Sequence, residues 1–228
     1  MAMIKGRAAS HHHEAGLEQA DVNRRSGVSM RKLWLGAALL LVLWGGVSWW
    51  HKRPVHPPPG VLAPDVPEQV DIDDGAQLQR GDVTLTTRAH FTLTARVLSR
   101  ADYSWGADAK LIPEDLALGW GRMSDSSVLA NIDISQSDRF YYWQVKQFPI
   151  PRREIETHSA NMHMIPADDG VLYDLKKVRP GEVVHIEGFL VDASRPGGWH
   201  WKTSMTRDDV GAGACELVYV ESLSIVGQ

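Results

Sequence analysis

Val83-Thr-Leu-Thr-Thr-Arg-Ala-His-Phe-Thr-Leu-Thr-Ala-Arg-Val97 carries the clearest structural pattern of the chain. Apart from Thr87, its odd-numbered positions are aliphatic or aromatic, whereas its even-numbered positions hold threonine, arginine or histidine. This alternation over fifteen residues, rich in β-branched types, predicts one long strand, or two with a bend, that has one packed face and one wet face. A strand of this length often curls around a barrel.

Shorter segments of strand or helix character follow toward the C-terminus, separated by turn residues. We predict strands at residues 132–136, 139–145, 183–191, 199–205 and 215–225, with a bend at Gly188. Helical turns are predicted at 113–118, 124–129 and 168–177, whereas 155–165 fits either a strand or a loop. Residues 68–228 are therefore expected to be mainly β, a β-barrel or sandwich with two or three short helices, similar to an oligomer-binding (OB) barrel.

An uncharged apolar run lies far upstream, at residues 33–50. As a helix it would be about 27 Å long, close to the thickness of the hydrocarbon core of a bilayer. Basic pairs flank it on both sides, and tryptophans stand near both of its ends, as in an aromatic belt. We therefore predict one N-terminal transmembrane helix over residues 31–52.

The basic residues around this run predict its orientation. Four precede it closely and two follow it: Arg24, Arg25, Arg31 and Lys32 before, Lys52 and Arg53 after. This bias points the N-terminus to the cytoplasm and the C-terminal domain to the other side of the membrane. The competing interpretation is a cleaved signal peptide, for which residues 46–48 offer small side chains at a suitable spacing.

Residues 1–30 are polar and carry a run of three histidines at 11–13. Their composition predicts a disordered cytoplasmic tail. Met30, followed by two basic residues and the apolar run, is also typical of a translation start, so this tail could lie upstream of the true one.

Residues 53–67 contain six prolines. Because proline fixes φ and removes a backbone donor, this segment is expected to be an extended, semi-rigid spacer. It would hold the folded domain some tens of ångströms from the membrane.

Composition sets further limits on the function. The chain has 228 residues, a formal net charge of -4 and one cysteine. The acidic balance disfavours a nucleic-acid partner. A single cysteine excludes an intramolecular disulfide, so Cys215 is expected to be a buried thiol.

Two histidines, His158 and His163, stand five positions apart around Asn161. Paired metal ligands usually stand four apart on a helix or two apart on a strand face, so this spacing disfavours a metal site built on one element. A hydrogen-bonded structural cluster, with Asn161 holding a turn, is the preferred interpretation. We expect no metal and no cofactor.

A thiol site and a polar loop are the other chemical candidates. Cys215 with a histidine and Asn161 could form a nucleophile and base, but a reactive thiol needs a lowered pKa, and this cysteine opens a predicted strand. The loop at 207–213 includes Arg207 and Asp208, and its acids could bind a cation or pair with Arg139 or Arg207. The preferred interpretation is a hairpin loop with internal salt bridges. If the domain has a functional rim, this loop is the first place to look.

Large aromatic rings are concentrated in the predicted β domain. If exposed on one face, they would form a binding platform for sugar, peptide or single-stranded nucleic acid; if buried, they would be core. Trp199 and Trp201 alternate along one predicted strand, which favours core. The set comprises Trp105, Trp120, Phe140, Tyr141, Tyr142, Trp143, Trp199 and Trp201.

Three sequence blocks carry a resemblance to known proteins. They are DLALGWGRMSD at residues 115–125, HSANMHMIP at 158–166 and TRDDVGAGACE at 206–216. Together they resemble a family of uncharacterised bacterial single-pass membrane-anchored proteins with a β-rich extracytoplasmic domain. The resemblance implies a bacterial inner-membrane protein and a shared domain, and it transfers no catalytic residue.

Three classes of function remain open. The first is a membrane-tethered periplasmic module that binds a protein partner or an envelope ligand. The second is a membrane-anchored hydrolase with a His/Asp or Cys/His site, and the third is an OB-like domain that binds oligomers. The residues of a hydrolase site would come from His158, Asn161, His163, Arg207, Asp208 and Cys215. Their convergence in one cleft would favour an enzyme, whereas scatter beside a large apolar patch would favour a partner-binding module.

Overall fold

The computed structural model describes residues 30–51, 53–106, 108–211 and 213–227, with the backbone alone for 47–51. The chain divides into two compact units, residues 1–50 and 51–228. The predicted N-terminal tail lies outside the described residues, apart from Met30.

The first unit holds one helix, α1, which spans Met30–His51. Its described apolar side chains are exposed, including Leu35 at 70% and Trp44 at 72%. No helix in the described part of the chain has both the length and the apolar character needed to cross a membrane. The side chains of residues 47–51, which belong to the predicted transmembrane segment, lie outside the described residues. The interpretation of 31–52 as a transmembrane helix stays a prediction.

The second unit is mainly β, as the sequence predicts. The described residues form ten strands: β1 Glu68–Asp71, β2 Gln77–Arg80, β3 Val83–Asp102, β4 Glu114–Gly119, β5 Ile132–Ser137, β6 Phe140–Val145, β7 Ser159–Pro166, β8 Val183–Ser194, β9 His200–Trp201 and β10 Glu216–Val226. The helices of this unit are α2 Ser126–Leu129, α3 Arg152–Thr157 and α4 Asp169–Lys177, with a 3-10 helix at Gly121–Ser124.

Five strands close on themselves in the order β3-β4-β7-β10-β8, because β3 pairs with both β4 and β8. All of these pairings are antiparallel except that of β7 with β10, which is parallel. β1 and β2 pair with β3, β9 extends β8, and β5 pairs with β6 in a separate hairpin. The barrel therefore describes the fold, and the sandwich does not.

The barrel interior follows from the alternation in β3. The odd-numbered residues from Val83 to Val97 are all buried, and β3 runs for 20 residues, as expected of one long strand. Those from Ala89 to Val97 belong to the interior cluster, whereas Val83 and Leu85 belong to a second apolar cluster. A register shift between Thr87 and Ala89 separates the two groups. Apolar residues of the other barrel strands and of α4 complete the core, including Leu116, Met162, Leu175 and Val218.

A second apolar cluster covers the outside of β7 and β10. Ile165 and Leu217 belong to it, whereas their neighbours Met164 and Val218 belong to the interior cluster. These strands are consequently buried on both faces. Trp199 and Trp201 pack against this outer cluster in a partly buried state.

Several strand and helix predictions are confirmed. Asp125 caps α2 by accepting a hydrogen bond from the Ser127 amide at 2.7 Å. β5, β6, β8, β10 and α4 lie where the sequence places them. Gly188 marks a close approach, since a Cβ there would lie 2.0 Å from the Tyr219 carbonyl oxygen.

Two secondary-structure predictions are wrong, one at β4 and the other at β9. The helical turn expected at 113–118 is β4, because its two acidic residues are buried and paired by distant groups instead of leading a helix. The strand expected at 199–205 is reduced to His200–Trp201, the length that pairs with β8. The ambiguous segment 155–165 contains the end of α3 and most of β7.

The proline-rich segment, expected to be an extended spacer, forms hydrogen bonds with the second unit, and its role in separating the domain from a membrane stays a prediction. Val55 donates its amide hydrogen to the Pro180 carbonyl oxygen at 2.8 Å. Gly181, with φ at +93°, permits this approach, because a Cβ there would lie 1.9 Å from the Val55 carbonyl oxygen. From Val55 onward the segment is part of the domain surface.

Ser124 fixes the second half of the same segment. Its hydroxyl oxygen accepts hydrogen bonds from the Leu62 and Ala63 amides, both at 3.0 Å. The Ala63 carbonyl oxygen accepts the Gly121 amide hydrogen at 2.8 Å, and Ala63 is fully buried. Residues 55–63 thus form a strap bound to the domain, which we call the proline strap.

Candidate functional site

A cleft of about 300 Å³ opens at the end of the barrel where the parallel strands β7 and β10 begin. One side is aromatic and consists of residues 140–143 of β6. Residues 159–161 of β7 form its floor, and Glu156 of α3 lies beside them. The opposite side is formed by residues that precede and begin β10, namely Arg207, 209–211 and 214–216. Residue 212 of the same loop lies outside the described residues.

The aromatic side of the cleft stands on a tight hairpin. Asp138 and Arg139 have φ values of 51° and 69°, the left-handed conformation required at both central positions of a type I′ turn. Alternation then divides the rings of β6. Phe140 and Tyr142 are exposed, at 40% and 47%, and Tyr141 turns inward, where its hydroxyl lies 3.2 Å from the Ser159 hydroxyl.

Arg139 ties this hairpin to the barrel. Its Nη1 donates to Asp115 Oδ1 at 2.8 Å, and its Nη2 donates to the Ile112 carbonyl oxygen at 3.0 Å. Its guanidinium stacks 3.5 Å from the Tyr103 ring centroid. These contacts hold Arg139 in its left-handed backbone conformation and fix the position of the aromatic wall. Arg139, one of the partners considered for the acids of the 207–213 loop, is thus engaged by Asp115.

His163 shares the same carboxylate. Its Nδ1 lies 2.8 Å from Asp115 Oδ1, and both residues are at most 1% exposed. The ring of Trp201 packs edge-on at 4.6 Å and closes the outer side. His163 is thus a buried structural residue beneath the hairpin, outside the cleft lining.

Asn161 lies between the hairpin and Cys215. Its Nδ2 donates to the Arg139 carbonyl oxygen at 3.0 Å, and its Oδ1 accepts from Gln136 Nε2 at 2.7 Å. Cys215 Sγ lies 3.8 Å from Asn161 Nδ2. Both termini of the Asn161 amide are therefore engaged inside the protein. The turn expected around Asn161 is wrong, because the residue lies within β7, and His158 and His163 have separate partners instead of sharing one cluster with it.

The Cys215 thiol is not arranged for nucleophilic attack. Burial raises its pKa to about 11, so at neutral pH it holds its proton. A protonated thiol is a poor nucleophile. Among the described residues, no histidine nitrogen lies within hydrogen-bonding distance of its sulfur.

Arg207 and Glu216 form an ion pair at the barrel mouth. Arg207 Nε lies 2.7 Å from Glu216 Oε1, and its guanidinium carbon lies 5.6 Å from the Phe91 ring centroid. Glu216 is 1% exposed, and burial raises the pKa of its carboxyl to about 8, an effect that Arg207 offsets only in part. Its second oxygen, Oε2, has no hydrogen-bond partner among the described residues.

Ser204 shapes the loop that carries Arg207. Its amide donates to the Cys215 carbonyl oxygen at 3.1 Å, and its hydroxyl lies 2.8 Å from Asp209 Oδ2. The neighbouring Thr203 hydroxyl oxygen accepts the Leu217 amide hydrogen at 3.0 Å. The loop is consequently joined to the start of β10 at several points.

The other two candidates lie elsewhere. His158 packs 6.4 Å from the Trp120 ring, and its Nδ1 lies 3.0 Å from the Thr157 hydroxyl. Asp208 is exposed and pairs with Arg153 Nη2 at 2.9 Å. Of the six candidates, the structure therefore brings only Asn161, Arg207 and Cys215 into the cleft, and no His/Asp or Cys/His site assembles there.

Two residues that shape the site, Asp115 and Glu216, are not among the candidates predicted from the sequence, for different reasons. The incorrect helix prediction at 113–118 gives no reason to expect a buried, paired Asp115. Glu216 did leave a signal, because it stands in register with the inward-facing Val218 and Val220 of β10. A charged residue at an apolar position of a strand indicates a paired or functional group.

The three blocks at 115–125, 158–166 and 206–216 meet in space. Asp115 of the first contacts His163 of the second, and Asn161 of the second contacts Cys215 of the third. Within the described residues, no group of three or more histidine, cysteine, aspartate or glutamate side chains is placed to hold a metal ion. No family model, curated protein or solved structure matches this chain.

Proposed function

We propose that this protein is a membrane-tethered binding module, and that it recognises a protein partner in the periplasm through the cleft between β6 and the 207–216 segment. The observation that carries the proposal is the exposed aromatic wall of that cleft. Phe140 and Tyr142 remain exposed although their neighbours Arg139 and Tyr141 are held rigidly by the barrel. Preorganised, exposed aromatic side chains are typical of binding surfaces.

The position of the cleft within the fold supports a binding role. In chain order the five barrel strands are β3, β4, β7, β8 and β10, and a helix, α4, lies between the third and the fourth. This arrangement is similar to an OB fold, which binds ligands on the face of its second and third strands and with the loop between its fourth and fifth. The cleft uses β7 and the corresponding loop.

The same comparison favours a protein partner over a long oligomer. The outer face of β4 and β7, which OB folds use for extended oligomers, is covered here by the β5–β6 hairpin, so that Asp115 and His163 are buried. What remains open is a short cleft. Oligomer binding, the second candidate function, is supported by the strand order and weakened by this cover.

The tether is supported by the amino-acid sequence and by the exposed side chains of α1. The apolar run extends to Trp50, four residues beyond Gly46, the last residue of α1 whose exposure is described. A helix whose described apolar side chains are all exposed needs a nonpolar environment to cover it. The basic pairs around the run and the family resemblance support a bacterial inner-membrane protein with its C-terminal domain in the periplasm.

Site-specific photo-crosslinking in intact cells tests the binding proposal. A photoreactive amino acid at Tyr142 is expected to give one adduct of defined mass, and the same residue at Tyr173, a more exposed position on α4, is expected to give none. Filling the cleft with Ala214→Trp should abolish the adduct, whereas Ala130→Trp, at an exposed position after α2, should leave it. An adduct that survives Ala214→Trp, or equal adducts at both tyrosines, would overturn the proposal.

A topology reporter tests the tether separately. A fusion after Gln228 of an enzyme that is active only outside the cytoplasm should be active, and the protein should stay with the membrane fraction after a salt wash. Replacing Leu40 and Leu41 with arginine should move the protein to the soluble fraction, because charges at the centre of a membrane-spanning helix are costly. A silent reporter, or full-length wild-type protein in the soluble fraction, would contradict the tether.

A further inference from the structure

The amide and hydroxyl donors among the side chains of the cleft are already used inside the protein, whereas Arg207 Nε, 2.7 Å from Glu216 Oε1, makes no well-aligned hydrogen bond. Asn161 donates to Arg139, Tyr141 contacts Ser159, and the Ser159 hydroxyl donates to the Ile155 carbonyl oxygen at 2.7 Å. Arg207, the one arginine of the lining, is paired with Glu216. A ligand that mainly accepts hydrogen bonds would therefore find few free donors among the described lining residues.

By contrast, one hydrogen-bond acceptor of the cleft, Glu216 Oε2, has no partner among the described residues. Glu216 lines the cleft and is 1% exposed. A buried carboxylate oxygen without a partner is costly, and a donor supplied by a ligand would remove that cost. The cleft is thus complementary to a group that donates hydrogen bonds.

The charge of the lining points the same way. When Glu216 is ionised, above its raised pKa of about 8, three carboxylates, Glu156, Asp209 and Glu216, stand against one guanidinium, Arg207. Arg152, which is outside the lining, pairs with Glu156 at 2.8 Å and leaves the other two carboxylates unaffected. The excess is acidic, so a cationic donor is favoured over a neutral one.

The aromatic wall selects among cations. The Arg152 guanidinium already lies 5.9 Å from the Trp143 ring centroid, which shows that a ring of this wall accepts a stacked guanidinium. Tyr142 on the same strand is free to stack in the same way from the cleft side. A guanidinium is planar, stacks on aromatic faces and pairs with carboxylates through two donors, whereas an ammonium acts as a compact point charge.

We propose that the cleft binds a guanidinium group, namely an arginine side chain of the protein partner, with Glu216 as the acceptor at its base and the β6 rings as its walls. This inference rests on the proposed partner-binding function and names the chemistry that the cleft recognises.

Matched peptides test the inference with the full chain in mild detergent. The probe is an end-blocked Gly-Gly-Arg-Gly-Gly peptide, and its control carries citrulline, the neutral isostere of arginine. We expect the arginine peptide to bind with a dissociation constant of about 1 mM or tighter, and at least about tenfold more tightly than the citrulline peptide. Lysine in the same context is expected to bind less tightly than arginine.

Two variants locate the interaction. Glu216→Gln keeps the shape of the side chain and is expected to reduce the arginine affinity about tenfold, whereas Glu187→Gln, an exposed carboxylate on β8, should not change it. Tyr142→Ala should weaken binding several-fold and test the wall independently if Glu216→Gln perturbs the fold. Circular dichroism checks the fold of each variant.

The pH dependence adds a readout that nonspecific charge attraction does not share. Burial holds the Glu216 proton up to a pKa of about 8, and the charged groups facing it are Arg207 and Asp209, with the protonated Cys215 thiol beside it. The arginine peptide should therefore bind more tightly at pH 9 than at pH 6. Glu216→Gln should remove most of this difference.

The outcomes separate this inference from the proposed function. Equal affinity for the arginine and citrulline peptides, tighter binding of a neutral disaccharide, or no binding at millimolar concentration would each overturn the guanidinium proposal. If the adduct at Tyr142 still depends on an open cleft, the proposed function survives that failure. If no such adduct forms, the proposed function fails first.

Discussion

The two faces of β4 and β7 are both buried, but by different chemistry. Leu116 and Met162 face the barrel interior among aliphatic neighbours, whereas Asp115 and His163 face outward beneath the hairpin and share one carboxylate contact. All four are at most 1% exposed. The inner face is closed by the barrel strands themselves, and the outer face is closed by Arg139 from an inserted hairpin.

This difference suggests that the two faces have different roles: the inner face stabilises the fold, and the outer face positions the hairpin. Burial of large apolar side chains contributes about 1.5–3 kcal/mol each, so the inner face supplies most of the stabilisation. A buried ion pair gains little net stability over an apolar replacement, although breaking one is costly. We infer that the outer face mainly fixes the hairpin, and with it the aromatic wall of the cleft.

The largest expected effect lies on the inner face. Phe91→Ala removes a ring that is 1% exposed at the centre of β3 and should lower the free energy of unfolding by about 4 kcal/mol. Urea unfolding followed by circular dichroism measures it. Phe148→Ala is the matched control, because Phe148 is 53% exposed and its loss should cost less than about 1 kcal/mol. Similar losses in both variants would contradict the assignment of the core.

Next in size is the loss of the shared carboxylate on the outer face. Asp115→Ala leaves Arg139 and His163 without their common acceptor and should cost about 3 kcal/mol, less than a fully buried pair because Arg139 is partly exposed. Asp133→Asn on the exposed face of β5 is the control. Asp115→Ala should also weaken partner adducts at Tyr142, whereas Phe91→Ala should not at temperatures where it stays folded. If the Asp115→Ala protein is destabilised but still forms the adduct at Tyr142, the contacts of the outer face are not needed to position the aromatic wall of the cleft.

A smaller effect is expected from the pH dependence of Glu216. Its folded pKa of about 8 lies above the ordinary value of 4.5, so its contribution to stability is complete below pH 4.5 and is lost as the pH rises through 8. The stability of the wild type relative to Glu216→Gln should therefore fall by about 2 kcal/mol between pH 6 and pH 8. Urea unfolding at several pH values measures this difference. A difference that rises with pH would show that Arg207 keeps the carboxyl ionised.

The alternation in β3 could predict the inner face because period-two burial is a local property of a strand. Each residue from Ala89 to Val97 needs only its own position in the pattern to be assigned to a face, whereas Val83 and Leu85, on the other side of the register shift, belong to the second apolar cluster. The outer face has no such pattern. Asp115 meets Arg139 and His163, which are 24 and 48 residues away. The pairing of β4 with β7 brings His163 to Asp115, and the packing of the β5–β6 hairpin brings Arg139.

The same reasoning explains how much of the cleft can be predicted from the sequence. The residue types of Asn161, Arg207 and Cys215 make them candidates for a chemical site, and the structure places all three in the cleft lining. His158 is a candidate on the same ground but lies on the far side of the 158–161 segment, beside Trp120. The type of a residue indicates what it can do, but its neighbours depend on the fold.

The smallest expected effect concerns the proline strap. Its composition predicts an extended backbone, but composition could not show that Ser124 binds it, because that contact joins residues about sixty positions apart. Ser124→Ala leaves the Leu62 and Ala63 amides without an acceptor and should cost about 1 kcal/mol. Hydrogen exchange of these two amides should accelerate about fivefold.

The control for the strap is Ser135→Ala on the exposed face of β5, which should change neither value. If exchange at residues 62 and 63 does not respond to Ser124→Ala, the strap is held by its other end, where Val55 bonds to Pro180. Gly181→Ala then becomes the decisive variant, because its Cβ would collide with the Val55 carbonyl oxygen. If neither substitution changes hydrogen exchange in the proline strap, the strap is held by apolar contacts such as that of the buried Ala63. Its stability would then come from apolar burial, as in the barrel interior, and polar pairing would contribute nothing measurable.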